Sequence, residues 1–314
     1  MLQKIGVIGG GTMGHGIAAA FALHELSVHL YEPSAKQRAE IVPAIAAAYE
    51  MLVEEEFIDA TAIPAAMSRI KLFDALAPAV IDRDFVVEAV PERMELKQSL
   101  LAELDRLCPA KAIFATNTSS LPLAPMIAEL PAPRRALTLV THWYNPPLIM
   151  PLVEISAFGN TTAEVYDAVA MLHQAIGKRT AKILKDIPGL VANRIQQAVA
   201  REVFSLIEQG AAEAADIDTA LKFGPAFRYA TTGQLEVADF GGLDIWLTVG
   251  DNLLSVMDAS HQASPLLRRK VAEGKLGVKS GAGFYSYDDA SIPDIRRAFL
   301  GRLVKQLKAS RGYA

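Results

Sequence analysis

Three glycines near the amino terminus have the spacing that polyphosphate binding requires. Gly9, Gly11 and Gly14 follow a short apolar run at residues 5–8 and open a stretch of small residues, 12–23, with the pattern of a helix. Gly9 permits a tight turn, Gly11 removes a side chain where a pyrophosphate would approach, and Gly14 lets helix and strand pack closely. Thr12 and Met13 would begin the helix, whose free N–H groups and positive dipole end attract phosphate. A second apolar strand ends at Glu32, 23 residues after Gly9. A carboxylate there accepts hydrogen bonds from both adenosine ribose hydroxyls and repels a 2′-phosphate, so the pattern predicts NAD rather than NADP. Among the six histidines, His15, His24, His29, His173 and His261 fall in predicted helices, strands or a polar turn. His142 stands apart. It follows an apolar strand within Thr141-His142-Trp143-Tyr144-Asn145-Pro146-Pro147, and ligands of a doubly wound sheet bind at the carboxyl ends of its strands.

The elements that must position these residues can be traced along the chain. Apolar runs at residues 5–8, 27–31, 85–88, 112–115, 136–140 and 151–155 alternate with helical patterns. Such alternation predicts parallel strands joined by crossover helices. A helical excursion spans 34–59, where Pro43 either kinks the helix or marks its first turn. After Asp186-Ile187-Pro188-Gly189 the pattern turns to long helices over 190–209, 215–223, 242–257, 265–273 and 293–308. The expected fold class is α/β, a Rossmann-like doubly wound sheet domain over 1–185 followed by an all-helical C-terminal domain over 186–314.

Seven motifs, in order, carry a family resemblance. They are the glycine turn, Glu88-Ala89-Val90-Pro91-Glu92, Asn117-Thr118-Ser119-Ser120, the segment 142–146, Pro151-Leu152-Val153-Glu154, Pro188-Gly189-Leu190-Val191-Ala192-Asn193-Arg194 and Lys279-Ser280-Gly281-Ala282-Gly283-Phe284-Tyr285. Over nearly its full length the chain resembles the L-3-hydroxyacyl-CoA dehydrogenase family. The resemblance implies that His142 is the general base for alcohol oxidation and that Glu154 pairs with its other ring nitrogen. It implies that Ser119 and Asn193 hydrogen-bond the reacting oxygen. Asn145 would sit near the nicotinamide, Glu92 and Lys97 near its ribose, and Lys279, from the second domain, over the cofactor. A histidine oriented by a carboxylate keeps one tautomer and gains stability as imidazolium, which suits this role.

Two departures bear on the substrate. Residues 39–68, where the resemblance places much of the CoA contact, contain no lysine or arginine but do contain Glu40, Glu50, Glu54, Glu55, Glu56 and Asp59. Binding a large polyanion calls for cations. The Gly224-Pro225-Ala226-Phe227-Arg228-Tyr229-Ala230 wording is similar to relatives acting on small polar acids: L-gulonate dehydrogenase (lambda-crystallin), carnitine dehydrogenase and the pyridoxine-degradation dehydrogenase. There Arg228 would bind a substrate carboxylate; otherwise it makes a surface or intersubunit salt bridge. Three readings stay open: NAD-dependent oxidation of the β-hydroxyl of a small hydroxy acid or its CoA thioester, a genuine L-3-hydroxyacyl-CoA dehydrogenase of fatty-acid or aromatic degradation, and a crystallin-like structural protein that binds NAD.

Composition narrows the remaining classes. Hydrophobic residues make up 51% and charged residues 21% of the chain, the balance of a globular protein. A formal net charge of −4 gives no general attraction to nucleic acid or anionic membranes. One cysteine, Cys108, excludes an internal disulfide framework and any metal site built on several cysteines, and points to the cytoplasm. No uninterrupted apolar run is long enough for a transmembrane helix. The apolar pattern of 190–207, with the resemblance, predicts a homodimer.

Overall fold

The computed structural model describes residues 2–313. An eight-stranded sheet forms its first half: β1 (Lys4–Ile8), β2 (Ser27–Tyr31), β3 (Ile70–Phe73), β4 (Phe85–Glu88), β5 (Ile113–Thr116), β6 (Thr138–Trp143), β7 (Leu152–Ser156) and β8 (Arg179–Ile183). Their spatial order is β3-β2-β1-β4-β5-β6-β7-β8. Neighbours from β3 to β6 run parallel, β7 is antiparallel to β6, and β8 is parallel to β7. The strand order reverses between β1 and β4, which opens a crevice at their carboxyl ends. It is a Rossmann-like sheet with flanking helices, followed by a helical C-terminal part.

Burial explains why these segments are strands. β4 and β5 are buried at every position, as expected of central strands covered on both faces. The edge strands β3 and β8 lie outside the six apolar runs. Both carry exposed Lys or Arg among half-buried residues, a mixture that blunts a sheet edge and its hydrophobic signal. The all-parallel expectation also needs correcting at β7. An eight-residue loop, 144–151, replaces the crossover helix after β6, and so short a connection returns the chain antiparallel.

Helix α1 (Thr12–Leu23) buries Ile17, Ala18, Ala19, Ala20, Phe21 and Ala22, so small side chains let it approach the sheet. Helix α2 (Ala35–Glu54) starts at a Ser34 cap, whose hydroxyl accepts from the Gln37 N–H at 3.3 Å, and runs through Pro43. Pro43 is therefore internal and does not mark the first turn. The Tyr49 hydroxyl of α2 donates to the Ala19 carbonyl of α1 at 2.7 Å, which fastens the excursion to the helix below it. Phe21 of α1, Phe85 of β4, Trp143 of β6 and the buried His173 meet edge to face or tilted. Each fully buried phenylalanine there contributes about 2–3 kcal/mol.

The chain divides into two compact units. One runs to Val191 and takes in Leu303–Leu307; the other comprises Ala192–Arg302 and the residues from Lys308 onward. The second unit contains helices Ala192–Glu208, Ala214–Phe223, Pro225–Tyr229, Gln234–Gly241, Leu243–Leu253 and Pro265–Ala272. A C-terminal helix, Ile292–Ser310, ends the fold, with Val304 buried and Lys305 3.8 Å from Glu55. Among the described residues no helix is long and apolar enough to cross a membrane.

Candidate active site

The glycine turn links β1 to α1 at the crevice. Gly9 has φ +100°, and a Cβ there would stand 2.8 Å from the Ala89 carbonyl oxygen. A Cβ at Gly14 would stand 1.7 Å from the Gly9 carbonyl oxygen. At Gly11 a Cβ would meet nothing within 4 Å. Two of the glycines are thus required by the fold itself, while Gly11 leaves open space. No side chain caps α1 and its first turn carries no acid, so its N–H groups remain available to an anion. Thr12 and Met13 line a cavity of about 570 Å³ with Tyr31, Glu32, Val90 and Leu96. These features fit a dinucleotide: open space at the pyrophosphate position, an uncapped helix end, and an acid at the adenosine side.

Glu32 is buried at the end of β2. Its Oε2 accepts the Gly10 N–H and its Oε1 the Ser34 N–H, both at 2.9 Å. Gln37, with its amide nitrogen turned inward, stands 3.1 and 3.2 Å from the two oxygens. The carboxylate is oriented by backbone that belongs to the turn itself, and its oxygens retain lone pairs for a ribose diol.

A second cluster forms where β4 and β5 end. The Lys97 ammonium, on the helix Met94–Leu107, lies 2.8 Å from both oxygens of Glu88 and 3.3 Å from Glu92. Val90 N–H and the Thr116 hydroxyl also donate to Glu88, at 2.7 and 2.6 Å. Lys97 and Glu88 are both fully buried, so the Lys97 ammonium is held by carboxylates of the protein. Glu92 gathers the loop after β5: its Oε1 accepts from the Thr118 hydroxyl at 2.7 Å and from the Ser119 and Ser120 N–H groups at 2.9 Å. Burial alone would raise the Glu92 pKa. The Thr118 hydroxyl, Lys97 and the two N–H groups outweigh it and hold the carboxyl at about 2. Ser119 is in this way locked by its backbone, and its carbonyl accepts the Gly189 N–H at 3.2 Å.

His142 and Glu154 meet because the β6–β7 ladder places them directly opposite each other, and directly opposed residues share a face. His142 Nδ1 lies 2.8 Å from Glu154 Oε2. Both side chains are buried, and Glu154 Oε1 accepts the Val191 N–H at 2.9 Å. A carboxylate at Nδ1 keeps the proton on that nitrogen and leaves Nε2 as a base. The end of β6 is tied to the end of β5 by the Trp143 N–H, which donates to Asn117 Oδ1 at 2.8 Å. Asn145 follows, exposed, in the loop 144–151.

Three further residues that the sequence assigns to the site belong to the second unit. Asn193 stands in the first turn of the helix Ala192–Glu208. Arg228 is exposed on the helix Pro225–Tyr229. Lys279 sits in a short turn between Gly277 and Gly281, both at positive φ, and lines a cavity of about 500 Å³ with Phe204, Lys270, Phe284 and Tyr285. Sequence reasoning did not assign roles to Glu88, Thr116 or Asn117. Glu88 had a visible signal, a carboxylate ending the otherwise apolar strand Phe85-Val86-Val87-Glu88.

Comparison with known proteins identifies the family. Residues 4–187 match the family model described as 3-hydroxyacyl-CoA dehydrogenase, NAD binding domain, and residues 189–287 match its C-terminal domain. The chain is 31% identical over 316 aligned residues to 5-formyl-3-hydroxy-2-methylpyridine 4-carboxylate 5-dehydrogenase of Mesorhizobium japonicum, covering 99% of this chain and 98% of that protein. A crystal structure of an enzyme of that name, described as an NAD+ dependent dismutase, superposes with a TM-score of 0.90 at 28% identity and covers 100% of both chains. The (S)-3-hydroxybutyryl-CoA dehydrogenase of Ralstonia eutropha gives a TM-score of 0.73 at 30% identity, covering 92% of this chain and 100% of that one.

Proposed function

The chain belongs to the 3-hydroxyacyl-CoA dehydrogenase family of NAD-dependent oxidoreductases, and from that premise we propose that it oxidises the β-hydroxyl of a small free hydroxy acid, with His142 as general base. The observation that carries this reading is the His142–Glu154 pair, 2.8 Å apart, at the carboxyl edge of the sheet that also presents the glycine turn. When bound at this turn, NAD would supply the hydride acceptor for the carbinol carbon. His142 Nε2 takes the hydroxyl proton, leaving a carbonyl, and Glu154 stabilises the resulting imidazolium. Ser119 and Asn193 hydrogen-bond the reacting oxygen as negative charge develops on it. Gly9, Gly11, Thr12, Met13, Gly14 and Glu32 hold the adenosine and pyrophosphate; Glu92, Lys97, Asn145 and Lys279 serve the nicotinamide side. The test is His142→Ala. NADH affinity should stay within about twofold while turnover falls by three or more orders of magnitude, on the scale of losing a general base with its oriented carboxylate; retained turnover would remove His142 from the mechanism.

Two observations favour a free acid over a CoA thioester. The acids of the excursion face solvent at Glu40, Glu50, Glu54, Glu56 and Asp59, and Glu55 pairs with the chain's own Lys305. The helix that supplies Lys305 lies beyond residue 287, where the family model ends. In the pyridine carboxylate enzyme the match covers the whole chain, whereas in the hydroxybutyryl-CoA enzyme it covers 92%. Arg228 then binds the substrate carboxylate bidentately. Efficient reduction of acetoacetyl-CoA, undiminished by Arg228→Ala, would favour the acyl-CoA reading instead.

The protein is further proposed to act as a cytoplasmic homodimer. Phe223, Leu235, Phe240, Leu247 and Val256 of the second unit are all more than 60% exposed, apolar side chains that a second subunit would cover. Light scattering should give twice the 33.8 kDa chain mass; a monomer at micromolar concentration would contradict it. Cys108 is unpaired and buried, its thiol pushed up to about 12 mainly by burial, which suits a reducing compartment; recovery in an extracytoplasmic fraction would oppose that assignment.

A further inference from the structure

The loop 144–151 joins the strand bearing His142 to the strand bearing Glu154. Three of its residues, Pro146, Pro147 and Pro151, have no N–H, so the loop has few donors of its own. Within it the Ile149 and Met150 N–H groups both donate to the Pro146 carbonyl, at 3.0 and 2.9 Å. Other carbonyls turn to one side chain. Lys178 Nζ donates to Pro147 at 2.6 Å, to Met150 at 2.9 Å and, at greater length, to Leu148 at 3.5 Å. The next residue, Arg179, gives its N–H to the Pro151 carbonyl at 2.8 Å.

The chemistry of this clamp is specific to an ammonium. It carries three N–H donors and no acceptor, matching three carbonyls. Lys178 is buried, no carboxylate among the described residues pairs with it, and its Nζ lies 5.2 Å from the centre of the Trp143 ring. Burying a cation without a counter-ion is costly, and burial pulls its pKa down to about 7. On the other side of the loop, Pro147 abuts α1: a Cβ at Gly16 would stand 2.6 Å from Pro147 Cγ. The loop is thus held between Lys178 and the helix whose amino end faces the pyrophosphate position, with Asn145 exposed at its start.

We propose that Lys178 is a positioning residue for cofactor binding, clamping the loop 144–151 so that Asn145 meets the nicotinamide half of NAD. This rests on the assignment of Asn145 to the nicotinamide made above. Two ligands separate a local effect from a general one, because ADP reaches only the adenosine and pyrophosphate half of the site while NADH reaches both. Calorimetric Kd values would be measured for each with the full-length protein and with Lys178→Met, which keeps the apolar stem and loses the donors. The expected result is an NADH Kd raised about tenfold, the scale of one lost charge-assisted contact, with the ADP Kd within about twofold. Lys178→Gln, which retains two N–H donors, should show a smaller split in the same direction and serves if the methionine variant does not fold. Asn145→Ala should reproduce the split with Lys178 intact. Equal weakening of both ligands by the Lys178 variants, or no weakening, while Asn145→Ala does split them, overturns the role of Lys178 alone. If Asn145→Ala binds both ligands normally, the placement of Asn145 fails and the proposal falls with it.

Discussion

Replacing Glu154 by glutamine keeps the shape of the site and removes one charge. In the native pair the carboxylate accepts from His142 through Oε2 at 2.8 Å and from the Val191 N–H through Oε1 at 2.9 Å. A carboxamide cannot accept at both atoms. If its oxygen faces Val191, its nitrogen meets His142 Nδ1, which must then become the acceptor; the proton moves to Nε2 and the base is lost. If its oxygen faces His142, its nitrogen opposes the Val191 N–H. The charge term is large as well: unit charges 2.8 Å apart at an effective dielectric of about 20 attract by about 6 kcal/mol, or about four orders of magnitude in rate. Since the amide dipole restores part of this in the second orientation, Glu154→Gln should lower kcat by about 10³ to 10⁴. NADH affinity should hardly change, because Glu154 touches neither the glycine turn nor Glu32. The assay is initial-rate NADH absorbance with the best hydroxy acid, alongside NADH titration. His142→Ala and the double variant should be no slower than about tenfold below Glu154→Gln, since the two residues act as one unit. A Glu154→Gln enzyme within tenfold of the wild-type kcat, or losses that multiply in the double variant, would refute the reasoning.

Other consequences can be measured with the same protein. Gly11→Ala, with nothing within 4 Å of its new methyl, should leave Tm unchanged and weaken NADH about tenfold or more; Gly14→Ala, 1.7 Å from a backbone oxygen, should lower Tm by about 10 °C. Equal thermal effects at the two positions would contradict the division between a structural and a ligand-facing glycine. Because Glu92 is held at about 2 against an ordinary 4.5, the unfolded chain takes up its proton first as pH falls. Its stabilising contribution is therefore complete above about 4.5 and lost as pH falls through 2, so the Tm gap between wild type and Glu92→Gln should narrow steadily over that window; a gap that widens on acidification would be inconsistent. Arg228→Ala should raise KM for the free acid by about 10- to 100-fold, the range of a lost charge-assisted pair, with NADH affinity unchanged; an unchanged KM would return Arg228 to a structural role.

What was legible in the sequence follows the range of the interactions. The glycine turn and Glu32 act through local geometry and strand ends, so their spacing alone located them. His142 could be singled out by its place after a buried strand, and the resemblance pairs it with Glu154, but the register that joins them depends on an antiparallel return that a strand–helix alternation does not report. Lys97 illustrates a different limit. Its position near the cofactor side was suggested by resemblance, yet the burial that binds it to Glu88 depends on a strand and a helix meeting, which no short pattern reports. β3 and β8 escaped because edge strands mix polar and apolar residues. Lys178 could not be found at all from its own type, because its partners are backbone carbonyls of a proline-rich loop about thirty residues away.

The claim with the most at stake is the substrate class. The decisive measurement is kcat/KM for NAD-dependent oxidation of a panel of free β-hydroxy acids and their CoA thioesters by the full-length protein. The site described here predicts at least one free acid turned over about a hundredfold more efficiently than its thioester, as the loss of one carboxylate–arginine pair would give. Thioesters uniformly preferred over their free acids would contradict it and assign the chain to acyl-CoA chemistry.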